Sequence, residues 1–246
     1  MILKTEGIIL KTFDLRETSR IAFVFSKEYG KIKGVLKGIR KDPRKFGSSL
    51  DRFSVNDIVY YQYRRSDLHL ISQCDMKQFF PDIRLDYKRS MAAGYVLELV
   101  DKIMQVEQKN EAVYQLMMDY LNSLEAENDI DKLVYIFQIK ILLLSGFRPH
   151  IDACVKCGKE VSGRARFSLK EGGLLCCDCP TAGSDLTSIS QGTVSSMLYI
   201  ERNQWVSSLR LGLTQIARRE LKYILNNFLV YHLERKIHTA KYLQAT

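Results

Sequence analysis

The chain has 246 residues, 46% hydrophobic and 26% charged, with only four prolines, a composition that supports a packed core and a length too short for three ordinary domains. The apolar run Ile141–Leu144 falls far short of the roughly 20 residues a membrane span needs, and Lys4 and Glu6 interrupt the only stretch that could act as a secretory h-region; the expectation is a soluble, cytoplasmic protein. The formal charge of +9 asks for an anionic partner, and residues 1–80, with 16 Lys and Arg against 9 Asp and Glu, are where a polyanion should bind.

Residues 5–76 read as strands. Thr5–Thr12 and Ser19–Ser26 are rich in β-branched and aromatic residues, and Ile21, Phe23 and Phe25 alternate onto one face. Tyr29-Gly30 turns the chain into Lys31–Ile39. After a polar loop, Val55–Tyr63 and Leu68–Met76 form a further pair, with Arg64-Arg65-Ser66-Asp67 as the hairpin turn. Five short strands with one long loop suit a small antiparallel β-barrel, of which the OB-fold is the commonest form; an SH3-like barrel has the same pattern.

Within this region, residues 27–47 carry eight cations: Lys27, Lys31, Lys33, Lys37, Arg40, Lys41, Arg44 and Lys45. Lys31, Lys33 and Lys37 alternate and so share one face of a strand, while the others lie on a loop with Gly38, Pro43 and Gly47. Phe46 and the row Tyr60, Tyr61 and Tyr63 are candidate stacking surfaces beside them. A basic groove with aromatics is how small barrels hold single strands with little sequence preference. The alternative is a solvated charged loop, with the tyrosines serving as ordinary strand residues.

After Pro81 the apolar period becomes helical: Ala92, Tyr95, Val96, Leu99 and Ile103 form one stripe, and Val113, Leu116, Met117, Tyr120, Leu121 and Leu124 another. Asp131–Leu144 is apolar almost all round and belongs at the centre of a bundle. It stops at Ser145-Gly146-Phe147-Arg148-Pro149, a helix-terminating glycine followed by a proline.

Five of the six cysteines then fall between 154 and 179. Cys154 and Cys157 form one CxxC, and Cys176 and Cys179 a second after 18 intervening residues, the spacing of a structural Cys₄ zinc ribbon. Cys177 and Cys179 would offer a CxC bite whose side chains diverge, so Cys177 is read as a bystander. His150 offers a Cys₃His alternative, and five unliganded thiols in a reducing compartment are the remaining one. Four thiolates leave no open position for water or substrate, so the ion would be structural; Lys156, Lys159, Arg164, Arg166 and Lys170 would offset its formal charge. Helical period returns at Ser190–Arg202 and Thr214–Lys236, placing the module between helices. The fold class is therefore α+β. Residues 1–80 form an OB-fold nucleic-acid-binding domain and residues 81–246 a helical domain, with the zinc module inserted at about 150–189.

No nucleotide-binding loop, HExxH or GxGxxG occurs, and His69, His150, His232 and His238 are scattered; nothing points to an enzyme. Two non-enzymatic alternatives are a transcriptional regulator reading DNA through Ala217-Arg218-Arg219-Glu220 and a scaffold that binds an acidic protein tail.

Taken together, TEGIILKTFDLRETSRIAFVFSKEYGKIKGVLKGIRK at the start, SGFRPHIDACVKCGK and GGLLCCDC in the middle, and LNNFLVYHLERKIHTAKYL at the end resemble the bacterial RecO family. The resemblance implies a non-catalytic recombination mediator. Such a protein binds single- and double-stranded DNA, anneals complementary strands and, with RecR, helps load RecA onto DNA coated by single-strand-binding protein (SSB), whose acidic C-terminal tail it docks. It implies a bacterial cytoplasmic protein, associated with the nucleoid when acting on DNA. It also implies DNA contacts at Lys31, Lys33, Lys37, Arg40, Lys41, Arg44 and Lys45, and one structural Zn²⁺ on Cys154, Cys157, Cys176 and Cys179; Cys177 is extra to the family's pattern.

Overall fold

The computed structural model describes residues 1–42, 46, 50–161, 163, 165–180, 186–233, 237 and 239. Five strands form a closed barrel: β1 (Ile2–Leu15), β2 (Ser19–Ser26), β3 (Gly30–Leu36), β4 (Val55–Tyr61) and β5 (Leu68–Gln78). Their order is β1-β2-β3-β5-β4. Each sequential pairing is antiparallel, but β3 meets β5 in parallel, a departure from the all-antiparallel expectation that gives the barrel its OB-type closure. β1 is long enough to pair with β4 through Ile2–Ile8 and with β2 through Gly7–Leu15. A register shift between Ile9 and Lys11 bends it from one partner to the other, as bulges do at barrel corners.

Alternation fills the interior. Leu3 and Ile9, Ala22 and Val24, Ile32, Ile58, Tyr60 and Ile71 pack in one core. Phe46 and Leu50, which precede β4 in sequence, join this core and are 3% and 5% exposed. Phe46 is thus a core residue and not a stacking surface. Its ring gains more from burial, about 2–3 kcal/mol for a large apolar side chain, than an exposed position would allow.

Three helices follow: α1 (Pro81–Leu85), α2 (Tyr87–Ile103) and α3 (Glu111–Ala126). Pro81 occupies the first helical turn, where its missing N–H costs nothing. The Glu125 carboxylate of α3 accepts from the amides of Asp82 and Ile83, satisfying donors at the start of α1. The predicted stripes are the buried faces of α2 and α3, except that Ile103, the last residue of α2, is only half-buried. Residues 1–126 form one compact unit and 127–246 a second.

The second unit is built round α4 (Ile130–Leu144), ten of whose residues are buried. Gly146 sits at φ +81°, and the Phe147 amide donates to the Leu142 carbonyl at 2.9 Å, the 6→1 bond of a Schellman stop. Between α4 and α5 (Gln191–Arg202) lies a small antiparallel sheet of order β7-β6-β8, from β6 (Ala165–Ser168), β7 (Gly173–Leu175) and β8 (Leu186–Ile189). Two further helices, α6 (Trp205–Leu209) and α7 (Gln215–Leu233), complete the unit. Among the described residues no helix is long and apolar enough to cross a membrane.

Candidate metal centre and nucleic-acid interface

The two CxxC turns meet at the small sheet. The Cys154 amide donates to the Lys159 carbonyl and the Gly158 amide to the Cys154 carbonyl, each at 2.9 Å, folding the first turn back on itself. The second turn follows β7. His150 exchanges backbone hydrogen bonds with Gly172 and Leu174 at 2.9 and 2.8 Å, and a Cβ on Gly173 would lie 2.3 Å from the His150 carbonyl oxygen. The glycine pair in GGLL is thus the condition for bringing the two turns together.

The sulfurs of Cys154, Cys157, Cys176 and Cys179 all lie within 4.8 Å of one another. Cys154 to Cys179 and Cys157 to Cys176 are each 3.7 Å apart. A tetrahedron of thiolates about 2.3 Å from a zinc ion has edges of about 3.8 Å, so the donor set fits such a site, and these four cysteines could hold a metal ion. Cys177 is exposed and outside the cluster. His150 is also outside it, an exposed residue tied to β7 through its backbone.

The thiols are electrically unequal. Burial works against ionising Cys154, but the amides of Cys176, Cys157 and Lys156 converge on its sulfur and hold it down at about 6. Hydrogen bonding to Cys176, together with burial and the sulfurs of Cys157 and Cys154, pushes Cys179 up to about 12. Four thiolates this close together repel one another, and ionising all four calls for a cation among them.

Arg166, read from the sequence as a counter-charge, has a positional part as well. From β6 its Nη2 donates to the carbonyls of Cys176, Cys177 and Cys179 at 3.0, 3.3 and 3.2 Å, fixing the second turn. Lys156 donates to the Pro180 carbonyl at 2.9 Å. Lys159 and Lys170 are exposed, and Arg164 lies outside the described residues.

The basic stretch is less uniform than its composition implies. Lys31 is 8% exposed; its Nζ donates to the Asp101 backbone carbonyl at 2.6 Å and lies 3.3 Å from that residue's Oδ1. The outward face of β3 is covered at this point by the end of α2, so Lys31 is a buried ion-pair partner and leaves the candidate contact surface. Lys33 is half-buried, 3.8 Å from Asp67. Because β3 ends at Leu36, Lys37 does not continue the strand's alternation; it opens an exposed turn that also carries Arg40 and Lys41. The Arg40 amide donates to Thr18, and its guanidinium sits 3.6 Å from Asp14. Arg44 and Lys45 lie outside the described residues.

The aromatic expectation changes too. Tyr60 is 1% exposed and stacks on His69 at 5.4 Å inside the unit, where burial pushes its phenol well up. Tyr61 and Tyr63 are exposed. Another set shares an open face with cations: across β1, β2 and β3, Lys11, Phe23 and Lys33 stand directly opposite one another. Phe13, 54% exposed, meets Phe23 edge to face at 5.9 Å. Phe13 lies beyond the Thr5–Thr12 strand expected from the sequence, on a β1 that runs to Leu15, and only strand register reveals the neighbours of Lys11 and Phe13.

The family model "Recombination protein O N terminal" matches residues 1–80, and "Recombination protein O C terminal" matches residues 84–241. The chain is similar to the DNA repair protein RecO of Alkaliphilus metalliredigens (strain QYMF), 30% identical over 236 residues that span 96% of this chain and 95% of that protein. It is 28% identical to DNA repair protein RecO of Syntrophus aciditrophicus (strain SB), over 98% of this chain and 94% of the relative. The RecO of Desulforamulus reducens is 29% identical, with the same two coverages.

Proposed function

The chain belongs to the RecO family of DNA repair proteins, and we propose that it acts there as a non-catalytic recombination mediator. It binds single- and double-stranded DNA, anneals complementary strands, docks the acidic tail of SSB and, with RecR, helps load RecA onto SSB-coated strands in the bacterial cytoplasm. The N-terminal domain, residues 1–80, makes the DNA contacts; the helical domain, residues 81–246, carries the zinc module at about 150–189.

The observation that carries the reading is the family match along nearly the whole chain, in combination with a charge excess localised to the barrel. Lys33, Lys37, Arg40, Lys41, Arg44 and Lys45 supply the phosphate contacts, without Lys31. Annealing by this route consumes no nucleotide. Cations on a mobile pair of strands lower phosphate repulsion and release counterions, so binding weakens steeply with salt. Base pairing then provides both readout and driving force, and the protein has only to leave the bases accessible.

One Zn²⁺ on Cys154, Cys157, Cys176 and Cys179 would tie the two turns together. Four thiolate ligands close the coordination sphere, and its contribution is to folding alone. Arg166 supports it by holding the second turn's carbonyls.

The test is annealing of complementary DNA coated with cognate SSB, without nucleotide, by the wild type and by a variant with Lys37, Arg40, Lys41, Arg44 and Lys45 changed to Ala. Annealing by the wild type and its loss in the folded variant supports the proposal. Annealing by both moves the DNA site away from the basic turn, and annealing by neither overturns mediator function in favour of a protein scaffold.

A further inference from the structure

We propose that the outer face of β1, β2 and β3 centred on Phe13 is a base-stacking subsite that makes the barrel prefer single-stranded over duplex DNA; this rests on the DNA-binding reading above. Phe13 is an apolar ring more than half exposed on a strand. A ring left open in this way loses burial energy that the barrel could have recovered. It is not isolated: Phe23 supports it edge to face at 5.9 Å, with planes at 85°. Half-buried Ile21 and the nearly buried Val35 lie in the next cross-strand row, since Phe13 pairs with Ile21 and Ile21 with Val35. The floor under a stacked base is therefore apolar.

Cations frame this floor. Lys11 Nζ lies 4.5 Å from the Phe23 ring centre and 5.8 Å from that of Phe13. On the opposite side, Lys33 Nζ lies 5.7 Å from Phe23. Lys11 sits closer to Phe23 than to Phe13, and Phe13, more than half exposed, is the ring with open surface to receive a base. Two carboxylates face the same surface, Asp101 on Lys11 and Asp67 on Lys33. Lys11 and Lys33 are balanced by these two carboxylates, and the positive excess comes from exposed Lys37, Arg40 and Lys41, which adjoin the face in sequence beyond β3. An apolar ring flanked by cations matches a chain of phosphates with unstacked bases. A duplex offers the phosphates but keeps its bases stacked on one another, so it gains nothing from Phe13.

A Phe13→Ala variant tests this, with Phe13→Tyr as the conservative partner, both checked for native circular dichroism. The probes are a labelled oligothymidylate and its duplex with oligodeoxyadenylate, titrated by anisotropy over a range of salt. The expected result is a roughly tenfold loss of single-strand affinity in Phe13→Ala, the order of one base-stacking contact. Duplex affinity and the salt slope should stay at wild-type values, and Phe13→Tyr should restore single-strand binding. Equal loss on both probes, or no loss on either, overturns the subsite while leaving DNA binding by the barrel intact. Failure of the wild type to bind either probe overturns the DNA reading itself.

Discussion

Replacing Asp101 by Asn should lower stability and raise DNA affinity together, a combination that follows from its two lysines. The carboxylate stands in the last turn of α2, where the helix dipole opposes a negative charge, and its side chain is only 11% exposed. It is held there by Lys11 at 2.5 Å and Lys31 at 3.3 Å. Removing one partner of a buried ion pair costs about 3–5 kcal/mol. Here Lys31 keeps its bond to the backbone carbonyl of residue 101, Asn retains an acceptor oxygen, and Lys11 is free to reach solvent. These compensations bring the expected loss to about 2–3 kcal/mol. For a unit of residues 1–126 that is a fall of about 10 °C in the melting transition of the barrel, measurable by circular dichroism. Lys11 is then no longer neutralised, so affinity for oligothymidylate should rise and the salt slope should steepen by about 0.7, one additional phosphate on a single strand. An Asp101→Asn protein as stable as wild type would refute the buried-pair reasoning. A folded variant with weaker DNA binding would show that Asp101 positions Lys11 for DNA and does not compete for it.

Two more predictions concern the second unit. Cys154→Ser should abolish stoichiometric zinc, read by mass spectrometry of the metal, and cost at least about 3 kcal/mol, as losses of a structural metal do; Cys177→Ser should keep the ion and change stability by less than about 0.5 kcal/mol. The folded fraction of Cys154→Ser should still anneal DNA, and outright loss of annealing by a folded, zinc-free protein would rule out a purely structural ion. Asp129 caps α4 by accepting from the Lys132 amide at 3.2 Å and pairs with Arg218 at 2.5 Å, so Asp129→Ala should cost about 1–2 kcal/mol in urea unfolding. The Arg218 hydrogen bond outweighs burial and holds the Asp129 carboxyl below its ordinary 3.8. Its stabilisation is therefore full above that value and is lost as pH falls through the lower folded value. Wild-type and Asp129→Ala stabilities should converge only in that acid range, and convergence near neutrality would contradict the capping account.

What could be read directly from the sequence was what depends on neighbours along the chain. Ser19–Ser26 is a strand with the boundaries its alternation implies, and the stop at Gly146 is visible because a left-handed residue after an apolar helix is a local demand. The two CxxC pairs could be matched by separation alone, because a two-residue turn aims both thiols at one point whatever surrounds it. The helical stripes were equally clear, since the 3.6-residue period reports which face is buried without reporting against what.

The misreadings about the basic stretch have a different origin. Lys31 and Lys33 have the same parity on one strand, yet one is sealed by Asp101, seventy residues away in sequence, and the other is half-open. Tyr60 and Phe46 read as surface aromatics because nothing local distinguishes an inward strand position from an outward one, or a ring between strands that packs into the barrel core. Lys11, Phe23 and Lys33 come from three strands, and their alignment depends on the shift between Ile9 and Lys11. A one-residue change there would send Phe13 to the other face. Local propensity determined the elements of this protein and the donor set of its cysteine module. Only the closed hydrogen-bond ladder, a non-local constraint, decided which cations remain exposed and which aromatic ring stands beside them.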